Sequence, residues 1–389
     1  MDIKEFKKKL EFFYKDEKYQ DLLSFFKENR KRYNISLISN DEYIVYMVII
    51  SLIKTKNHKY VINFLEMFNP NSFGRQFPKI IWHLKKSGIN DLLYLRELLE
   101  FIENPEELDA SEITYNDKKY PSNREKWFLE YVKILYSLGE FLECIKYVDK
   151  AFSCITKFHQ NNNVWLLYRK GLSLIKLKKY EDAEDIFKRI LKFKRDFYLY
   201  HSLAEIYFNS KKIRDALSNI LIVLKMNKKV DIKFKIKTIL LVQKMSEEFQ
   251  KRELAKIALS LIVLIYKKEG WKISSNIEKK AKEYQVSDID NSNTNLINLY
   301  NEFIIKLDQW EEEFFDIGVV LKIMHNNEKG MDGWLNIKKR KVYFKITNNQ
   351  LLQSQIKEGT KVKAIVIEQD NNTNKTKERA IIKRIISTN

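Results

Sequence analysis

The hydrophobic period of this chain changes once, close to residue 315, and that change limits what it can fold into. Upstream, apolar residues recur at intervals of three and four, the spacing of one face of an α-helix. The stretch Trp165-Leu166-Leu167-Tyr168-Arg169-Lys170-Gly171-Leu172-Ser173-Leu174-Ile175 is an example. Downstream the alternation becomes two-fold, the spacing of half-buried strands. Punctuation agrees. All four prolines (Pro70, Pro78, Pro105 and Pro121) lie between residues 70 and 121, and a late cluster of glycines (Gly318, Gly330, Gly333 and Gly359) signals tight turns. The expected fold is mainly α, a long helical array over 1–312 that is irregular around 70–121, followed by a small β domain over 316–389.

Within the array the helices come in pairs. One helix must end near Lys178-Lys179 and a second begin at Tyr180, so short a joint that the two pack antiparallel. Gly171, Tyr180, Ala183 and Phe187 form one unit, and Ala204, Tyr207, Ile213, Ala216 and Ile220 form the next, displaced by 33 residues. Upstream, Gly139, Phe141, Cys144, Val148 and Ala151 fill similar slots, as do Leu10, Phe13, Tyr19, Leu22 and Phe26. Tyr60 marks a further unit, and Ala255 and Ala258 are the expected close-contact positions of a later hairpin. A period in this range signifies a stacked array. Each hairpin leaves an apolar face that only its neighbours can bury, so stacking produces an α-solenoid with a long concave surface. The last helix, from Asn293 to about Phe315, carries Leu296, Leu299, Tyr300, Phe303, Ile304, Leu307 and Trp310, and should cap the array.

These spacings resemble the tetratricopeptide repeat, well over 125–226 and fairly over 1–68. The resemblance implies a groove lined by first-helix residues, among them Trp165, Tyr168, Tyr198, His201 and Phe208, that takes a protein partner.

Five strands are expected after residue 315: Ile317 to Met324, Gly333 to Ile337, Lys341 to Ile346, Thr360 to Glu368 and Lys377 to Ile386. Five short strands in so few residues, with a longer third connection, suit an OB-type barrel. The runs Gly318-Val319-Val320, Gly333-Trp334-Leu335-Asn336-Ile337, Val342-Tyr343-Phe344-Lys345-Ile346 and Ile356-Lys357-Glu358-Gly359-Thr360-Lys361-Val362 resemble a cold-shock domain in order and spacing. That resemblance implies bases stacking on the outward residues of the second and third strands, which here are Trp334, Asn336, Tyr343 and Lys345. It also has departures: the family's Gly-Phe-Gly-Phe run is Gly-Trp-Leu-Asn, and a lysine, Lys345, replaces the histidine of its third strand.

Charge points the same way. From Asp316 to Asn389 there are 15 Lys or Arg against 7 Asp or Glu, and Lys338, Lys339, Arg340 and Lys341 crowd the turn between those two strands. Aromatic faces beside a basic groove hold single strands with little sequence choice. The whole chain carries a net charge of +19, which favours a polyanionic partner. It is also rich in Lys, Asn and Ile, a bias that AT-rich coding alone produces, so the net charge by itself selects no partner.

Catalytic patterns are missing from the sequence. The five histidines (His58, His83, His159, His201 and His325) are isolated from one another, and no Gly-rich phosphate loop or Gly-x-Ser-x-Gly occurs. Glu311-Glu312-Glu313 reads as helix-terminal charge. Cys144 and Cys154 have no ligand neighbours at metal spacing and read as reduced thiols in the helices. The longest apolar runs, Ile44 to Ile53 and Leu259 to Tyr266, are too short for a bilayer, and Met1-Asp2-Ile3-Lys4-Glu5 opens no signal peptide. The expectation is a cytoplasmic, non-enzymatic adaptor without metal or cofactor. It binds RNA or single-stranded DNA through the barrel and a protein through the array; the competing reading is a pure protein-interaction scaffold with an accessory barrel.

Overall fold

The computed structural model describes residues 2–33, 38, 41–66, 76–226, 231–286, 293–328, 330–347, 350–370 and 376–387. The protein is mainly α, a helical repeat array with a closed five-stranded β-barrel at its C-terminal end. Contacts divide the chain into two compact units, Met1–Arg195 and Asp196–Asn389. The change from helix to strand thus falls inside the second unit.

The first unit contains α1 (Ile3–Lys15), α2 (Tyr19–Asn29), α3 (Glu42–Lys54), α4 (Tyr60–Leu65), α5 (Phe77–Lys86) and α6 (Leu92–Glu100). A small antiparallel hairpin follows, β1 (Ile113–Tyr115) and β2 (Lys118–Tyr120), and then α7 (Asn123–Leu138), α8 (Phe141–Cys154), α9 (Asn162–Lys176) and α10 (Tyr180–Leu191). The segment expected to be irregular therefore holds a helix pair and a hairpin. The second unit opens with α11 (Phe197–Asn209), α12 (Ile213–Lys225), α13 (Ile236–Glu248), α14 (Arg252–Glu269), α15 (Ser275–Glu283) and α16 (Asn293–Glu312).

One turn recurs through both units. Glu17, Gly139, Lys178, Lys211 and Gln250 all sit at positive φ, each one or two residues past the end of a first helix. The next amide closes back over the helix end: Lys18 donates to the Phe13 carbonyl at 2.9 Å, Lys179 to Leu174 at 2.9 Å, Lys212 to Tyr207 at 2.8 Å and Lys251 to Ser246 at 2.7 Å. This is the Schellman closure, which satisfies carbonyls that a helix end leaves orphaned. The residue before each second helix then holds ψ between 61° and 70°, so Lys18, Glu140, Lys179, Lys212 and Lys251 all redirect the chain in the same way. The repeat read from side chains is thus a repeat of backbone geometry.

The close-contact positions are where the sequence places them. Cys144, Ala183, Ala216, Ala255 and Ala258 are all fully buried. A Cβ on Gly171 would stand 2.7 Å from the tip of the Phe187 ring, so only glycine lets α9 and α10 approach this closely. In α16, Leu296, Tyr300, Phe303, Leu307 and Trp310 are buried, against α12 and α14. The acidic residues at and just past its end are tied down: Glu311 to the Ser218 hydroxyl, Glu312 to Lys363 at 2.8 Å and Glu313 to Lys251 at 2.6 Å.

The barrel comprises β3 (Asp316–Asn327), β4 (Gly330–Ile337), β5 (Arg340–Ile346), β6 (Lys361–Asp370) and β7 (Thr376–Ser387), with the short helix α17 (Gln350–Gln355) in the third connection. The order around it is β3-β4-β5-β7-β6, and β6 pairs back onto β3. All pairings are antiparallel except β5 with β7. The interior holds Val320, Met331, Leu335, Ile337, Val342, Phe344, Val362 and Ala380. These alternate with outward residues, as a strand with one buried face requires. Among the described residues no helix is long and apolar enough to cross a membrane.

Candidate nucleic-acid interface

Register decides which way the aromatics point, because a one-residue slip turns every side chain over. In β4 the buried positions are Met331, Gly333, Leu335 and Ile337, which leaves Asp332, Trp334 and Asn336 outside. In β5, Val342, Phe344 and Ile346 face in, and Tyr343 and Lys345 face out. Trp334 and Tyr343 are direct cross-strand partners, with ring centroids 5.5 Å apart and planes inclined at 70°. Asn336 pairs with Lys341, and Asp332 with Lys345. The sequence-derived set Trp334, Asn336, Tyr343 and Lys345 therefore shares one outer face.

Close strand approach underlies this face. A Cβ on Gly333 would lie 2.2 Å from the Lys322 carbonyl, so glycine lets β3 run tightly against β4 next to Trp334. β3 carries register shifts between Val320 and Lys322 and between Ile323 and His325, which insert Leu321 and Met324. Both are exposed. The Trp334 indole N–H donates to the Met324 sulfur at 3.1 Å, and the Lys341 ammonium lies 4.9 Å from the centre of the Trp334 ring. Burial, with Asp332 hydrogen-bonded to it, pushes the Tyr343 hydroxyl above its ordinary pKa; Arg379 acts in the opposite direction. Arg379 stands opposite Tyr343 on β7 and donates to the Lys345 carbonyl at 3.1 Å. His325 and Asp332 are 3.0 Å apart.

The basic turn is tight. Ile337 pairs with Arg340, so Lys338 and Lys339 form a two-residue loop, with φ of 50° and 65°. Lys338 turns back to Asp316 at 2.7 Å, while Lys339, Arg340 and Lys341 are exposed. Sequence reasoning missed Met324, because it lies beyond an insertion that breaks the alternation. It also missed Arg379, which reaches the face only through the parallel pairing of β5 and β7.

The expected groove residues fall in both units. In the first, Trp165 is 44% exposed beneath the Lys194 ammonium at 5.1 Å, and Tyr168 sits edge-on to it at 6.1 Å. In the second, Tyr198 is half-buried, and His201 meets the Thr238 hydroxyl at 3.1 Å. Burial, with Lys237 nearby, pushes the His201 pKa down to about 4. Phe208 is only 3% exposed, so its ring belongs to the core of this unit rather than to a lining. Cys144 is buried, Cys154 half-buried, and both are free thiols. Among the described residues no three His, Cys, Asp or Glu side chains gather as a metal site.

A family described as a domain of unknown function, DUF7017, matches residues 164–304, just over a third of the chain. No curated protein matches. The chain is similar to the crystal structure of the apo form of RapI, with a TM-score of 0.44 and 13% identity, the alignment covering 80% of this chain and 89% of that one. So loose a likeness transfers neither fold detail nor function.

Proposed function

We propose that this is a non-enzymatic cytoplasmic adaptor, whose barrel, of the cold-shock-like kind, holds RNA or single-stranded DNA and whose helical array engages a protein. The observation that carries the reading is the opposed pair Trp334 and Tyr343, outward-facing, with a lysine over the indole. Both rings are half-buried, and an outward aromatic ring offers a π-face that every base can stack on, for roughly 1–3 kcal/mol per base. Lys341, Lys345 and Lys322, which lies opposite Trp334 on β3, surround the rings with charge for phosphates. The second and third strands of an OB-type barrel are also where such folds present their oligonucleotide face.

A second reading has its own observation. Ile317, Leu321 and Met324 are exposed at 60%, 44% and 50% along β3, an apolar strip that favours docking to a protein. Titrating the full chain with short fluorescent RNA and DNA strands at low and high salt separates the two. Salt-sensitive binding that is lost in Trp334→Ala with Tyr343→Ala supports the nucleic-acid reading. A flat titration at low salt, together with a protein partner retained after nuclease treatment, leaves the scaffold.

A further inference from the structure

An open cleft of about 530 Å³ lies in the first unit, bordered by α3, α5 and α7. Its floor is apolar, with Phe77 and Ile81 buried. From its wall Trp82 stands 55% exposed, although α5 buries Phe77, Ile80, Ile81 and Leu84. The His83 ring meets the indole edge-on at 4.7 Å, and the Lys86 ammonium lies 4.8 Å from the indole centre. Opposite, Lys79 sits 5.6 Å from the ring of Tyr46.

The rim is cationic. Lys79, Lys85 and Lys126 line the cleft. Among its lining residues the one carboxylate is Glu130, which is ion-paired with Lys85. Burial, with Lys79 beside it, pushes the Lys126 ammonium below the ordinary lysine range, against the pull of Glu125. His83 is likewise pushed down, by burial first and then by Lys54 and Lys86. In both groups burial is the larger cause and neighbouring lysines add to it, so an anion entering the cleft would favour their charged forms.

We infer that this cleft is a nucleotide site, in which a planar base lies against Trp82 and a phosphate is held between Lys79 and Lys126. The volume suits a ligand of that size, since small-molecule sites span about 300–1,000 Å³. An exposed indole with a cation close to its face and further lysines lining the same cleft can grip a base and its phosphate together. An acidic peptide would satisfy the lysines and leave the indole uncovered. The ligand is either a free mononucleotide or the phosphorylated end of a strand, and the chemistry is the same for both. The site is separate from the barrel face and does not depend on it.

Calorimetric titration of the full chain tests this, with AMP, adenosine, inorganic phosphate, a glutamate-rich peptide, and a short RNA bearing either a 5′-phosphate or a 5′-hydroxyl. AMP should bind saturably, with adenosine and phosphate each weaker by about tenfold or more. Trp82→Ala and Lys79→Ser, both at exposed positions, should weaken AMP by a similar factor and leave the melting profile unchanged. The barrel variant Trp334→Ala with Tyr343→Ala should bind AMP as the parent does. Saturable binding of AMP assigns the cleft to free nucleotide. Binding only of the 5′-phosphorylated strand, retained in the barrel variant and lost in Trp82→Ala, assigns it to strand ends. The inference is overturned if neither binds, if adenosine or the peptide binds as tightly as AMP, or if binding survives in Trp82→Ala and Lys79→Ser.

Discussion

Trp334 and Tyr343 face each other across β4 and β5 on the outside of the barrel, 5.5 Å between centroids, with the indole N–H directed to the Met324 sulfur. Inclined at 70°, the two half-buried rings pack edge to face, with the Lys341 ammonium 4.9 Å from the indole centre. Trp334→Ala should weaken single-strand binding by about 5- to 150-fold, the equivalent of one lost stacking contact. Trp334→Phe should retain most of the affinity, because the ring survives. Tyr343→Phe keeps the ring and loses the Asp332 hydrogen bond, so it should bind as the parent does. Anisotropy titrations of the three variants check the order; equal affinities in all of them would remove the face from the binding path.

The Lys338-Lys339 turn separates stability from charge. Both lysines hold positive φ in a two-residue hairpin loop, a conformation in which Asn-Gly is strongly preferred. The left-handed region costs a residue with a Cβ about 1–2 kcal/mol. The Lys338–Asp316 pair offsets little of this, since the lysine side chain is 70% exposed. Lys338→Asn with Lys339→Gly should therefore raise the unfolding free energy by about 1–2 kcal/mol in denaturant melts. The same change removes two cations, so the salt dependence of oligonucleotide binding should flatten by about 0.7 in slope for each lysine that contacts a phosphate.

How much of this was readable in the sequence depends on how local the signal is. The five barrel strands lie within a few residues of their expected bounds, because alternation is a short-range property and the turns are marked. The outward register of Trp334 and Tyr343 follows from the same alternation. Helix α17 hides in a link whose sequence, Gln350 to Gln355, is too short to show a period. The β1–β2 hairpin escaped because its strands are three residues each and mostly exposed, with no buried face to read. Phe208 carries the spacing of a groove residue, yet neighbouring helices bury it, a tertiary effect that no single-helix pattern contains. The Trp82 cleft was illegible for a related reason. Tyr46, Trp82 and Lys126 belong to three helices far apart in sequence, and only the packing of α3, α5 and α7 brings them together.

Gly171 sets the spacing of α9 and α10. Replacing it by alanine gains about 1 kcal/mol of helix propensity. The new methyl would lie 2.7 Å from the tip of the Phe187 ring, which is fully buried and edge-on to Tyr168 at 5.9 Å. Overpacking of this kind costs about 1–3 kcal/mol, so the balance is destabilising. Gly171→Ala should lower the unfolding midpoint of the first unit, and Phe187→Leu in the same chain should restore part of the loss. A Gly171→Ala protein more stable than the parent would mean that the helices part easily.

His201 makes the second unit sensitive to acid. Its pKa is held down at about 4, by burial first and then by Lys237, whereas an unfolded histidine titrates near 6.5. Below that value the unfolded chain takes up a proton that the folded one refuses. The stability is therefore fully present above about pH 6.5 and declines as the pH falls toward 4. A shift of this size corresponds to roughly 3 kcal/mol, an upper figure because the ring is not completely shielded from water. His83, pushed down in the first unit by burial and by Lys54 and Lys86, contributes there in the same sense. His201→Gln keeps a partner for the Thr238 hydroxyl and removes the titration. Denaturant melts between pH 4 and 8 should show a shallower loss of stability for the variant than for the parent. Parallel curves would place the acid sensitivity on other groups.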